Sequence, residues 1–325
     1  MPTLLDTVRV LASFDPPRTP LRGAPWEAYA DFALEHGLAP LAAYNLEYRL
    51  GGAGAPDGVR ERLLSVYQGT ANDNVLKLVN FKRCIAELEG RKLVMLGGAS
   101  YAEALYPHVA FRPVSEMELL LDGRDVAGFS GWLARGQFKP VTREDVLGDG
   151  DAFLSDGRTN VCLHTSLLGG PTGELEAGLF ARAEKMRVYG ASAYRLSLED
   201  ALLQTCVAQA RAGYQVPFLT FVDLRELLTG ATSMAGAYSR TPDFAAVKAR
   251  AKAWGMERAL YASLGVTEGL FPETAAAVAQ ARPGLRASTR ALIDKLVVQP
   301  LLRLDTRTLR GADRIRRWLT ARDTR

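Results

Sequence analysis

Two acids, Glu116 and Glu118, stand two residues apart in "RPVSEMELLL", at the head of an apolar run. In a strand, residues two apart project from the same face, so these carboxylates point together while Met117 and Leu119 turn toward a core. With Cα atoms about 6–7 Å apart, such a pair can converge on a hard divalent cation such as Mg²⁺, which also relieves its mutual repulsion. The same spacing describes the wet face of an antiparallel strand. Upstream, "LGGAS" places Gly97 and Gly98 between an apolar run and a helix start. This is neither a Gly-x-x-x-x-Gly-Lys loop nor a Gly-x-Gly-x-x-Gly fingerprint. Backbone N–H groups at such a bend can hold phosphate, because the helix N-terminus is electropositive and glycine lets a ligand approach; a plain tight turn is the other reading. Downstream, "NVCLH" puts Asn160, Cys162 and His164 on one strand face. His164 is either a base or phosphate donor, or a structural hydrogen-bonder.

These residues need a scaffold, and the chain's periodicities supply one. "KLVMLGG" is a buried strand feeding a turn, "ASYAEALY" a short helix, "EMELLL" a second strand, "RDVAGFSGWLARG" an amphipathic helix and "QFKPV" a third strand. "AFLSDGRTNVCLHTSL" is a hairpin, with Asp156-Gly157 suited to a tight type I′ turn. The residues before this block are helical: Trp26, Tyr29, Ala30, Ala33 and Leu34 share a face, and apolar residues recur at three- and four-residue steps from Val59 to Leu88, with Gly90 as the stop. The helical period returns near residue 195. Ser197 with Asp200 caps one helix, Pro217 and Gly230 bracket the next, and Thr241 with Pro242 opens a third that Gly255 closes. The expected fold class is α+β: a helical segment over 1–90, a small mixed-sheet core over 91–195, and a helical region over 196–325 that ends in a basic helix.

Composition bounds the function. Of 325 residues, 48% are apolar and 23% charged, enough for a sizeable core and against extensive disorder. The three cysteines, Cys84, Cys162 and Cys206, are distant and odd in number, which points to free thiols in a reducing compartment. The first residues, "MPTLLDTVRV", lack a basic leader, and no stretch approaches the ~20 apolar residues of a membrane span, so a cytoplasmic location is expected. From Leu301 to Arg325, eight arginines face three aspartates. That basic tail, Arg303–Arg325, is either a contact surface for nucleic acid or a partner, or a solvated helix face with Leu304, Leu309, Ile315 and Leu319 turned inward.

The order of the central features resembles the nucleotidyltransferase superfamily, with its diglycine turn after a strand, short helix, and Asp-x-Asp on the next strand. More narrowly it is similar to a bacterial family of uncharacterised nucleotidyltransferases with the polymerase-β-like fold. Gly97-Gly98, Leu105-Tyr106-Pro107, Arg112-Pro113, Glu116-Met117-Glu118-Leu119-Leu120 and Leu163-His164 fall in that family's order, and the helices containing Gln209 and Asp223 resemble the two that follow. The resemblance implies attack of an unknown acceptor on the α-phosphate of a nucleoside triphosphate, assisted by Mg²⁺. It implies Glu116 and Glu118 as metal ligands, Gly97, Gly98, Ser100 and Arg112 as nucleotide-binding residues, and Cys162 and His164 in the remaining catalytic positions.

The departures from the family pattern are chemical. Both aspartates have become glutamates, each one methylene longer. The third carboxylate falls at Cys162, a soft and mostly neutral thiol that is a poor Mg²⁺ ligand. The lysine before the glycines is Leu96, and the histidine expected near Ala208 and Gln209 is absent. The expectation is therefore a nucleotide-binding protein with weakened or lost transfer activity. The alternative is a pseudoenzyme serving as an interaction or nucleic-acid-binding module.

Overall fold

The computed structural model describes residues 1–18, 21–86, 92–135, 138–142, 151–168, 173–188, 190–230, 238, 240–304 and 312–321. The chain divides into two compact units. One is built from Met1–Gly69, Leu202–Thr232 and Tyr238–Arg325, the other centres on Thr70–Ala201.

The unit centred on Thr70–Ala201 is α+β. Among the described residues its sheet has seven strands: β1 (Val94–Met95), β2 (Glu116–Leu120), β3 (Lys139–Pro140), β4 (Ala152–Ser155), β5 (Asn160–His164), β6 (Glu184–Val188) and β7 (Ala191–Arg195). Their order is β3-β4-β5-β2-β1-β7-β6. The β2–β5 and β1–β7 pairs run parallel, whereas β1–β2, β3–β4, β4–β5 and β6–β7 run antiparallel. β2 is thus the middle strand, flanked on both edges, and Met117, Leu119, Val161 and Leu163 are fully buried. Burial of each such side chain contributes roughly 1.5–3 kcal/mol. On the other face of β2, Glu116 is 8% exposed while Glu118 keeps 28% of its side chain accessible, so that face is partly covered.

Two local expectations are revised. The β4–β5 hairpin does not turn on Asp156-Gly157 as a type I′ pair: Ser155 pairs with Asn160 and Asp156 N–H donates to Thr159 O at 3.3 Å, which moves the turn to Gly157-Arg158. Gly157 alone supplies a left-handed residue (φ +86°), and the Asp156 carboxylate accepts from the Arg158 and Thr159 N–H groups at 2.8 and 2.6 Å, closing the turn through its side chain. The β6–β7 hairpin was not anticipated, although Met186 and Val188 are buried between exposed Lys185 and Arg187 in simple alternation.

The other unit is helical. Its interior holds Tyr214, fully buried, whose hydroxyl donates to Ala259 O at 3.2 Å, and a ring cluster of Phe32, His36 and Phe218. A buried Arg225–Glu226 pair is capped by the Phe271 ring, 4.6 Å from the guanidinium. The helix Leu219–Thr229 ends at left-handed Gly230, as expected. The helix Phe244–Trp254 is capped by Asp243, not Thr241: its carboxylate accepts from Ala245 and Ala246 N–H at 3.0 Å each. In the terminal helix Ala312–Thr320, Ile315 and Leu319 are buried as expected, and Leu304 is half-buried; Leu309 lies outside the described residues, as does Gly90, the expected stop of the long helix. No described helix is long and apolar enough to cross a membrane.

Candidate functional site

β1 is only two residues long because it feeds directly into the helix Gly97–Ala104, whose first residue carries a left-handed φ of +47°. The diglycine is therefore the first turn of that helix, not a loop ahead of it. Leu96 N–H donates to Glu118 O at 2.9 Å, which fixes the bend beside the end of the carboxylate pair.

The absent side chains of the two glycines are filled by two of the expected site residues. A Cβ on Gly97 would collide with Glu118 Oε2, and a Cβ on Gly98 would collide with Arg112 Nη1, with Cζ at 3.0 Å. The second methylene of Glu118 carries its carboxylate onto the bend, while the guanidinium settles one residue further on. Gly97, Gly98, Arg112 and Glu118 thus form one cluster. Arg112 is 7% exposed; its Nη1 donates to Pro113 O at 3.1 Å and its plane lies over the Tyr101 ring, 5.8 Å from the centroid. Ser100 lies on the same helix, one turn past Gly97; its hydroxyl is buried without a hydrogen-bond partner among the described residues. An orphan of that kind costs about 1–3 kcal/mol, which a ligand oxygen would recover.

The carboxylates share their face with β5. Register pairs Glu116 with Asn160, Glu118 with Cys162 and Leu120 with His164. Glu116 is 8% exposed, and Glu118 keeps 28% of its side chain accessible. Cys162 Sγ lies 3.4 Å from His164 Nε2, which lies 3.8 Å from Glu118 Oε1. Glu118 is therefore the hinge of the site, close to the bend on one side and to the imidazole on the other. The acids nearest Cys162 in sequence are committed elsewhere. Asp151 accepts from Thr165 N–H and Oγ–H at 2.6 and 2.5 Å, and Asp156 accepts from Asn80 Nδ2 at 2.9 Å.

Among the described residues, no three His, Cys, Asp or Glu side chains are grouped so as to hold a metal ion. The donor chemistry agrees. Glu116 and Glu118 supply the hard oxygens that suit one Mg²⁺ carried in on phosphates, a mode needing only one or two carboxylates. Cys162 does not extend that set to a second hard cation.

One part of the site was invisible in the sequence. Asn74, 1% exposed on the helix Asp57–Ala86, donates through Nδ2 to Val109 O and Arg112 O at 2.7 Å each and accepts from Val114 N–H at 3.1 Å. Lys77 Nζ adds a 2.7 Å bond to Val114 O. These bonds clamp the segment that presents Arg112. Nothing in the spacing of Asn74 announces this, because its partners lie 35 to 40 residues away. Asp223 is buried within the helical unit.

A family model described as an uncharacterised nucleotidyltransferase matches residues 22–272. No curated protein and no solved structure matches the chain.

Proposed function

The chain belongs to the uncharacterised nucleotidyltransferase family, and from that premise we propose that the Gly97–Gly98 bend, Arg112 and the Glu116–Glu118 pair bind a Mg²⁺-nucleoside triphosphate. The observation that carries this reading is the meeting of Glu118 with Gly97 and of Arg112 with Gly98 at a single helix start. A cation ligand and a phosphate ligand then stand on adjacent residues of one electropositive bend. Arg112 offers a planar set of donors matched to phosphate oxygens, and the Ser100 hydroxyl offers one more. Glu116 and Glu118 would hold the ion; when bound, Mg²⁺ supplies charge neutralisation at the phosphates. His164, 3.8 Å from Glu118, is placed to orient that carboxylate or to donate to a phosphate oxygen.

Transfer to an acceptor is weakened in this reading. A thiol stands where the third carboxylate belongs, so neither a second ion nor an acceptor hydroxyl finds a hard base there. Cys162 also favours the second reading, a non-catalytic binding module that retains the fold. The exposed Arg314, Arg316 and Arg317 on the terminal helix supply that module with a surface for nucleic acid or a partner. Calorimetric titration with each nucleoside triphosphate, with and without Mg²⁺, tests the first reading. Binding should require Mg²⁺ and should vanish in Glu118→Ala. Heat-silent titrations with every nucleotide would leave the binding-module reading, in which truncation after Pro300 should reduce retention on heparin.

A further inference from the structure

The helical unit contains a second site that owes nothing to the carboxylate pair. A cavity of about 630 Å³ is lined by Arg18, Arg22 and Arg49 and by the loop Leu50–Gly54. We infer that it binds a small phosphate-bearing anion. Three arginines line one cavity whose lining contains no acid among the described residues. Arg18 and Arg22 make no ion pair or hydrogen bond among the described residues. Arg49 is paired with Asp15, but that carboxylate is 87% exposed and the pair contributes little in water, so the guanidinium is free to exchange to a ligand. Guanidinium forks match phosphate oxygens in geometry and charge.

The loop supports the same conclusion. Gly51, Gly52, Ala53 and Gly54 are all left-handed, with φ of +56°, +80°, +47° and +83°. For Ala53 this conformation costs about 1–2 kcal/mol, a strain that persists only where the surroundings impose it. Backbone bonds hold it: Gly52 N–H donates to Leu46 O at 2.7 Å and Ala53 N–H to Leu50 O at 3.1 Å, while neighbouring Arg60 donates through Nε and Nη2 to the two Glu47 oxygens at 2.7 Å each. The Arg60 hydrogen bonds hold the Glu47 carboxyl below its ordinary range. Arg60 is thus neutralised by Glu47, whereas Arg18 and Arg22, which line the cavity, have no counter-charge among the described residues. The volume falls in the range of small-molecule pockets, about 300–1,000 Å³, which fits a phosphorylated metabolite or nucleotide and not a stretch of duplex.

The full-length protein is titrated calorimetrically with inorganic tripolyphosphate, without Mg²⁺ and at about 0.15 M salt to screen unspecific attraction. The Arg18→Ala/Arg22→Ala variant should lose at least tenfold in affinity (both side chains are exposed, so the fold is unburdened). Arg112→Ala should retain the binding, which separates this site from the proposed nucleotide site. Arg314→Ala/Arg316→Ala, equal in charge lost, should retain it too. Tighter binding of adenosine monophosphate than of inorganic phosphate would assign the ligand to nucleotides, and equal binding would assign it to free phosphate. No saturable binding to the wild type, or the same loss in the charge-matched control, overturns the inference.

Discussion

Substituting Gly97 by alanine separates the two roles of the bend. The backbone contribution follows from φ: at +47°, a residue with a Cβ costs about 1–2 kcal/mol. The steric contribution follows from contact. The new Cβ would approach Glu118 Oε2 more closely than the 3.0 Å that real Cβ atoms respect, while Cδ stays at 3.7 Å. The clashing atom is the end of a flexible side chain, so the carboxylate swings aside and the sheet is left undistorted. Total destabilisation should therefore stay near 1–2 kcal/mol. The carboxylate, however, must retreat on the order of 1 Å, and misplacement of that size costs about a hundredfold at a reacting or metal-binding centre, equivalent to about 2.7 kcal/mol. Urea unfolding measures the first quantity, and calorimetry with Mg²⁺-nucleotide measures the second. A Glu118→Asp background completes a double-mutant cycle, because the shorter side chain withdraws from the bend and leaves only the backbone cost. If Gly97→Ala destabilises both backgrounds equally and nucleotide affinity is unchanged, Glu118 does not rest on the bend and the site is wrongly drawn.

Three other substitutions probe the scaffold. Asn74→Ala removes two donated bonds and one accepted bond to the segment over 109–114; it should cost about 2–4 kcal/mol in urea unfolding and weaken nucleotide binding through Arg112, and a loss below about 1 kcal/mol would deny the clamp. Gly69→Ala sits inside the helix Asp57–Ala86 with no heavy atom within 4 Å of the added Cβ, so stability should rise by about 0.5–1 kcal/mol, and a fall would show that the position is not open. Burial pushes the Glu103 carboxyl above its ordinary 4.5, so its folded state favours the protonated form: that contribution is present at low pH and lost as pH rises through the raised value. Glu103→Gln should therefore stabilise the protein at pH 7 and not at pH 4; equal shifts at both would refute the assignment.

The local grammar of the chain was legible without coordinates. Alternation at Glu116–Leu120 and Asn160–His164 announced strands, the diglycine announced a strand-to-helix bend, and Ser197, Gly230 and Gly255 marked helix ends, because capping and pleating are set by residues within a few positions of each other. Where Asp243 displaced Thr241 as the cap, the competing oxygens were two residues apart and geometry chose between them. The pairing of β2 with β5 was beyond such reasoning. Parallel register joins residues 44 positions apart, and it is this register that sets Cys162 beside Glu118. Chain-distant contacts also placed Arg112 over Gly98 and gave Asn74 its clamp. Sequence alone determined which chemical groups this protein has and which of them share a strand face, since backbone periodicity carries that information. Only the tertiary structure decided which groups touch, because contact across a sheet depends on closing long loops, and no local preference records how they close.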